Sequence, residues 1–301
     1  MGAAVMFPGQ GAQRARLGEA WRDDHEWWVV ERAEWALGRD LAPLLLDPDA
    51  GLHRTEDAQL AVLLASLMAW ERARPTLGAP VAFAGHSLGQ VTALLAAGVL
   101  SFDDGIRLAA RRARHTQEAA DRRPGEMAAL LGATPEQAEE VCRAAPHACW
   151  LANDNAPGQV VVAGTPDGVE AAVRRAPEVG VRRTTRLAVG GAFHTPLMAE
   201  ARDAFAGDLA AVALAAPAAP VVSNGDAAPH LDAEGWRRRL ADHLVSPVRW
   251  RQSVEALVEL GATELVEVGP GTTLTGLARR ITPTTSAHDT DSMFEREEIR
   301  A

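Results

Sequence analysis

The sequence predicts an α/β protein: one large domain on a parallel sheet, with a small ferredoxin-like unit inserted into it. Three observations carry this expectation. Short apolar runs alternate with longer amphipathic ones along much of the chain, the pattern of parallel strands covered by helices on both faces. Between Met127 and Val189 the order changes to β-α-β-β-α-β, the split ferredoxin-like unit. The 301 residues, 47% hydrophobic and 23% charged, suffice for one large α/β domain or two modest ones with a substantial core.

In chain order, residues 3–8 are a short apolar strand ending in Pro8-Gly9-Gln10-Gly11, a strand-to-loop signal. Leu60, Leu63, Leu64, Leu67 and Trp70 fall at helical spacing and predict a buried helix over 58–74. A β run over 80–84 breaks at Gly85, with a helix from Ser87 to about Ala97 and another from Asp103 to about Ala120. The inserted unit is expected as strands 127–131, 149–153, 160–163 and 182–189, with helices 134–145 and 166–175. Helices are then expected over 196–212, 234–243 and 254–260, with strands at 221–223 and 264–268, the last running into Gly269-Pro270-Gly271. This places the large domain at 1–125 and 191–282 and the small one at 126–190. Residues 283–301 turn polar and patternless and are expected to form a flexible tail.

Composition excludes several functions. Net charge is −10, which argues against general nucleic-acid binding. No apolar run approaches the ~20 residues needed to cross a bilayer, and the opening Met1–Phe7 lacks the basic start of a signal peptide. Only Cys142 and Cys149 are present, without CxxC spacing or a nearby His cluster. Neither a metal site nor a disulfide framework is expected, and two thiols suit a reducing cytoplasm. There is no Lys and no Tyr, so lysine Schiff-base chemistry and a tyrosine acid are ruled out.

Gly85-His86-Ser87-Leu88-Gly89 fits G-x-S-x-G after a β run and before a helix. There the flanking glycines permit a sharp turn that puts a serine hydroxyl at its tip, an α/β-hydrolase-like feature. The helix N-terminus behind it offers N–H groups and a positive dipole end to an oxyanion. A helix N-cap serine in a Gly-rich turn is the alternative; the strand–turn–helix context favours a nucleophile. Of nine histidines, His194 lies at a strand-to-helix junction, where it either faces a cleft as a base or caps the next helix. His86 adjoins the serine, but neighbours on a tight turn point different ways.

Phe7–Gln13, Gly85–Gly89, Ala192-Phe193-His194-Thr195-Pro196 and Val268-Gly269-Pro270-Gly271 occur in the order seen in the malonyl-CoA:acyl-carrier-protein transacylase family. Asn153–Gln159 and Ser246–Trp250 also resemble family blocks, so the resemblance runs to about residue 282. It implies a Ser87–His194 dyad without a triad carboxylate, the histidine oriented by the backbone carbonyl of His243. The amides of Gln10 and Leu88 would form the oxyanion hole. An Arg on the helix after the nucleophile would bind the substrate carboxylate. Among Arg107, Arg111, Arg112 and Arg114, the pattern anchored on Gln117-Glu118-Ala119 selects Arg112, 25 residues past the serine; the other three are expected on a solvated face. Gln59 matches another pocket position. Phe193 is the type found in malonyl-selective members, although one methyl is worth only ~1–3 kcal/mol of discrimination. Gln90 departs from the Glu of many members and removes no proposed catalytic group.

The implied activity is ping-pong transfer of a malonyl group from malonyl-CoA to the phosphopantetheine thiol of an acyl carrier protein, in fatty-acid or polyketide synthesis. It needs no permanently bound cofactor, the coenzyme A thioester being substrate, and the family is commonly monomeric. An acidic carrier would dock on Arg182, Arg183 and Arg186, or on Arg237, Arg238 and Arg239. The alternatives are a hydrolase on the same nucleophile, esterase or editing thioesterase, and a carrier-docking module with a dead site. An α/β-hydrolase expects an acidic triad member between Ser and His and an HGGG-like loop, and no HGGG is present.

Overall fold

A computed structural model describes residues 2–292. The central element is β1 (Ala3–Phe7), a five-residue apolar strand with Val5 and Phe7 on one face and Ala4 and Met6 on the other. Helices α1 (Trp28–Leu37), α2 (Ala42–Leu46) and α3 (Thr55–Leu77) follow, then strand β2 (Ala82–Gly85), α4 (Gly89–Ala96) and α5 (Phe102–Arg122). β1 and β2 are parallel, with Phe7 opposite Gly85, so the loops carrying Gln10 and Ser87 start side by side.

The second layer runs β3 (Glu126–Leu131), α6 (Pro135–Cys142), β4 (Cys149–Ala156), β5 (Gln159–Gly164), α7 (Pro166–Arg175) and β6 (Arg183–Arg186). Its strands form an antiparallel sheet of order β4-β5-β3-β6. The chain returns through α8 (Ala199–Ala210), β7 (Val221–Val222), β8 (Pro229–His230), α9 (Gly235–Asp242), α10 (Trp250–Glu259), β9 (Glu264–Glu267), α11 (Thr273–Ile281) and β10 (Ser286–Asp289). These strands join β1 and β2 in a six-stranded sheet, order β10-β9-β1-β2-β7-β8, parallel except for β8.

Period-two alternation puts an apolar core on each face of the large sheet. One holds Phe7, Phe83 and Val266 against α3, α4 and α5; the other holds Met6, Ala84 and Leu265 against α10 and α11. α3 is apolar nearly all round and is correspondingly buried from Ala58 to Trp70. Its Trp70 ring stands edge-on to Phe7 and Phe83, with centroids 6.1 and 5.6 Å away. Each fully buried Leu, Val or Phe in these clusters contributes about 1.5–3 kcal/mol.

The small sheet packs α6 and α7 on one face and turns Met127, Ala129 and Val161 toward Ala192 and Phe193 on the other. Three contacts hold it against the large layer. Val248 pairs with β4 through Asp154 N–H and its own N–H, both at 2.9 Å. Arg251 on α10 meets buried Asp154 at 2.8 Å. Arg280 on α11 donates to Gln159 Oε1 at 2.7 Å and Pro157 O at 2.6 Å.

Several expectations need correction. The expected flexible tail 283–301 begins instead as ordered structure: β10 pairs with β9, Ser286 opposite Glu264 through Asp289 opposite Glu267. Residues 293–301 of that tail lie outside the described residues. The polar letters of Ser286-Ala287-His288-Asp289 hid an edge strand whose stability comes from a neighbour rather than from alternation. The strand expected over 182–189 is paired only at 183–186, and the helix expected over 196–212 opens with a 3₁₀ turn, Pro196–Met198. α11 had no clear sequence signal; buried Glu267 caps it, accepting from Leu274 N–H at 3.1 Å and Thr275 N–H at 2.7 Å.

Candidate active site

β1, β2, β7 and β9 end on the same edge of the large sheet. Parallel strands deliver their loops to one side, which makes that edge the natural place for a site. Gln10 leaves β1, Ser87 leaves β2 and Asn224 leaves β7.

Ser87 sits at φ 53°, a left-handed conformation unusual for a residue with a side chain. Glycines on either side make the turn possible: a Cβ at Gly85 would lie 1.9 Å from Gly89 O, and one at Gly89 would lie 2.1 Å from Phe7 O. The elbow is also tied from outside. Ser87 N–H donates to Asn224 Oδ1 at 2.8 Å, and Asn224 Nδ2 donates to Gly85 O at 2.8 Å.

His194, 5% exposed, is left-handed as well, at φ 61°. Its Nε2 lies 2.8 Å from Ser87 Oγ, and its Nδ1 lies 2.9 Å from the carbonyl oxygen of His243. The carbonyl can only accept, so Nδ1 carries the proton and Nε2 presents a lone pair to the hydroxyl. Burial, followed by the charge of Arg112, pulls His194 down from its ordinary 6.5 to about 3; the imidazole is neutral near pH 7.

Arg112 projects from the buried stripe of α5, between Ala109 and Thr116, and is 4% exposed. It donates to Gln59 Oε1 at 2.6 Å and to Ser87 Oγ at 3.3 Å. Among the described residues no carboxylate pairs with it, and burial lowers it to about 10. Arg107, Arg111 and Arg114 instead meet Asp104, Asp208 and Glu118 on the outer face.

Gln10 and Leu88 both line the cavity above Ser87. Among the described residues no acceptor takes either backbone N–H. Gly9 keeps the two loops together, since a Cβ there would lie 2.3 Å from His86 O. The cavity has a volume of about 230 Å³ and is closed on the far side by Met127, Val161, Leu187, Val189 and Phe193. Thus Ser87, His194, Gln10, Leu88, Arg112, Phe193 and Gln59 line one space, while His243 reaches it through its carbonyl.

The six docking arginines differ in their partners. Arg186 is held by Glu126 and Glu170, Arg239 by Asp232 at 3.1 Å, and Arg237 donates to Val212 O at 2.8 Å. Arg182, Arg183 and Arg238 are exposed and, among the described residues, without an ion pair.

Sequence reasoning missed Asn224, Asn155 and the involvement of His86 and Gln90. Asn155 accepts from neutral His86 Nε2 at 2.9 Å. Asn224 was signalled only by following a strand at the same sheet edge. Among the described residues no group of His, Cys, Asp or Glu could hold a metal, and no helix is long and apolar enough to cross a membrane.

An α/β sheet with a serine elbow, a neutral histidine and a buried arginine is the framework of an acyl transferase. The sequence profile described as acyl transferase domain matches residues 5–292, and the chain belongs to that family. It is similar to the malonyl CoA-acyl carrier protein transacylase of Salmonella typhimurium, 37% identical over 292 residues and covering 94% of each chain. It also resembles the crystal structure of malonyl-CoA:acyl carrier protein transacylase from Xanthomonas oryzae pv. oryzae, with TM-score 0.89, 38% identity and 95% and 93% of the two chains covered. A further solved structure holds a type II PKS acyl-carrier protein in complex with its malonyl-transacylase; the match there has TM-score 0.91, 36% identity and 96% of both chains.

Proposed function

We propose that this chain transfers a malonyl group from malonyl-CoA to the phosphopantetheine thiol of an acyl carrier protein, through an ester on Ser87. The observation that carries the substrate class is Arg112: a buried guanidinium that no carboxylate pairs among the described residues, 3.3 Å from Ser87 Oγ. A buried cation left unpaired is costly, and a bidentate carboxylate is the partner its planar fork fits.

In the first half-reaction His194 Nε2 takes the Ser87 proton as Oγ bonds to the thioester carbon. The oxyanion lies against the amides of Gln10 and Leu88. Its collapse breaks the C–S bond, and coenzyme A leaves as a thiol with the proton from His194. In the second half His194 deprotonates the carrier's thiol, sulfur attacks the ester carbon, and Ser87 Oγ leaves with that proton. The His243 carbonyl keeps the proton of Nδ1 in place throughout, the task a carboxylate performs in a triad.

The finer architecture follows the same reading. The connectivity and strand order of residues 126–190 fit a ferredoxin-like subdomain, and residues 1–125 and 191–282, extended by β10, a hydrolase-like catalytic domain. Coenzyme A enters as substrate, with no resident cofactor. The carrier docks through exposed Arg182 and Arg183, and the protein acts as a cytoplasmic monomer in fatty-acid or polyketide synthesis. Thioester hydrolysis is the competing activity. It is disfavoured because Arg112 selects a charged acyl group and because, among the described residues, no carboxylate reaches His194.

Intact-protein mass spectrometry after brief exposure to malonyl-CoA, methylmalonyl-CoA or acetyl-CoA tests this. A malonyl adduct that requires Ser87 and favours malonyl over acetyl is expected. Free coenzyme A accumulating without an adduct would point to a hydrolase, and neither signal would remove malonyl-CoA as the substrate.

A further inference from the structure

Gln90 is wholly buried on the first turn of α4, makes no contact with the cavity, and joins the two halves of the site. Its Oε1 accepts from Asn224 N–H at 2.7 Å, and its Nε2 lies 3.4 Å from His243 Nδ1. A backbone N–H can only donate, so it holds the amide oxygen on its own side and leaves the NH₂ facing His243. Nδ1 of His243 must then be a lone pair, with the proton on Nε2, an atom that finds no partner among the described residues.

These bonds close a circuit. Ser87 N–H donates to Asn224 Oδ1, Asn224 N–H to Gln90 Oε1, and Gln90 Nε2–H to His243 Nδ1. The His243 carbonyl accepts from His194 Nδ1–H, and His194 Nε2 accepts from Ser87 Oγ–H. We propose that Gln90 is a positioning residue that locks the Ser87 elbow to the segment carrying the His243 carbonyl, and so sets the distance from nucleophile to base. An amide suits the position because it accepts on one side and donates on the other. An ionised Glu there would accept on both sides and require the Nδ1–H tautomer of His243, and Leu would satisfy neither neighbour. The longest and therefore weakest link is the 3.4 Å one.

His243 is kept neutral by its surroundings. Burial lowers it well below 6.5, and it faces His194, Arg112 and His86, each of which disfavours a second positive charge. The His194 and His243 rings lie 4.7 Å apart, so protonating His243 would set its charge against the base itself.

This inference rests on the proposed Ser87 chemistry, and the test separates the two. Acylation of Ser87 by malonyl-CoA is timed in the wild type, Gln90→Leu, His243→Leu, the double variant and His243→Gln. Each Leu variant should lower kcat about tenfold or more, because a buried polar group loses its partner, with KM for malonyl-CoA unchanged. The double variant should be no slower than the slower single within about twofold, since both remove the same bond. His243→Gln keeps the carbonyl and has an amide oxygen that can accept from Gln90, so it should be faster than His243→Leu by about threefold or more. Losses that multiply, unchanged kcat in the Leu variants, or a change in KM alone would overturn the proposal. The second readout needs neither substrate nor an active variant: ¹⁵N-histidine NMR of the wild type, with folded His243→Gln for assignment. The Nε2–H tautomer at His243 is expected, and the Nδ1–H tautomer overturns the circuit even if activity is normal. A wild type with no malonyl adduct but the expected tautomer would sink the substrate and leave the circuit standing.

Discussion

The two sheets that enclose the cavity are built on opposite plans. At the C-terminal edge of the large parallel sheet, buried polar groups crowd together: Gln90, Asn224, His243 and Glu267 are at most 2% exposed, and all but Glu267 belong to the circuit around Ser87. The small antiparallel sheet packs an apolar cluster on each face, and one of these includes two free thiols, Cys142 and Cys149, with sulfurs 3.5 Å apart. Topology accounts for the contrast. Parallel strands send every loop to the same side, where their polar ends can be bonded to one another. Antiparallel strands send their ends both ways and leave a flat face, suited to walling a cavity. Chemistry should therefore fail when the large-sheet edge is touched and survive when the small core is.

The comparison would break first at the nucleophile. Ser87→Ala should lower transfer by about 10⁴-fold or more and abolish the adduct in the mass spectrum; a persisting adduct would move the nucleophile elsewhere. Gly89→Ala comes next. A Cβ 2.1 Å from a backbone oxygen cannot be accommodated by side-chain movement, so a loss of about 4 kcal/mol or more is expected in denaturant unfolding. A melting temperature unchanged from wild type would show that the elbow is looser than described.

Arg112→Ala should slow malonyl transfer by about 100-fold, the scale of hydrogen bonds to a charged group. Acetyl transfer should suffer far less, so the ratio of the two kcat/KM values is the measurement that matters. Equal losses would mean that Arg112 supports the fold rather than the carboxylate.

The pH response sharpens the same contrast. His194 lies near 3, so kcat/KM should remain flat as the pH falls from 8 to about 5 instead of dropping through 6.5. Stability should behave differently. His86, His194 and His243 all have folded values below their ordinary 6.5. The unfolded chain therefore takes up protons first, and stability should fall as the pH drops below about 6.5. Glu267, which burial raises to about 7, works in the other direction and offsets part of the loss. Urea midpoints compared at pH 7 and pH 5 read the balance; equal midpoints would contradict the burial of the three imidazoles. In the small core, Cys149→Ala should cost about 1 kcal/mol and leave kcat unchanged.

Much of the site was legible because its signals are local. Gly85–Gly89 has its strand, its turn glycines and its helix within a few residues, whereas Arg112 was singled out from the four arginines of its helix only by the family resemblance. The resemblance supplied Gln10, Leu88 and the His243 carbonyl, whose function is carried by backbone atoms and leaves no mark on residue type. Asn224 and Gln90 escaped because their roles are relations between β7, α4 and the segment after α9. The expected tail failed for a related reason: β10 is a strand because β9 offers it a free edge.

Sequence alone determined the alternation of elements, the insertion of a second sheet, the serine elbow and the histidine at a junction. Each is specified by turn chemistry or periodicity over fewer than about twenty residues. Only the tertiary structure decided that Ser87 and His194 stand 2.8 Å apart, that Arg112 is buried with no carboxylate on it among the described residues, and that the roles of both ring nitrogens of His194 are set by partners. Those facts depend on residues 25 to 107 positions apart along the chain. Their separations are set by packing and by which hydrogen bonds burial forces to be satisfied, information that no local window contains.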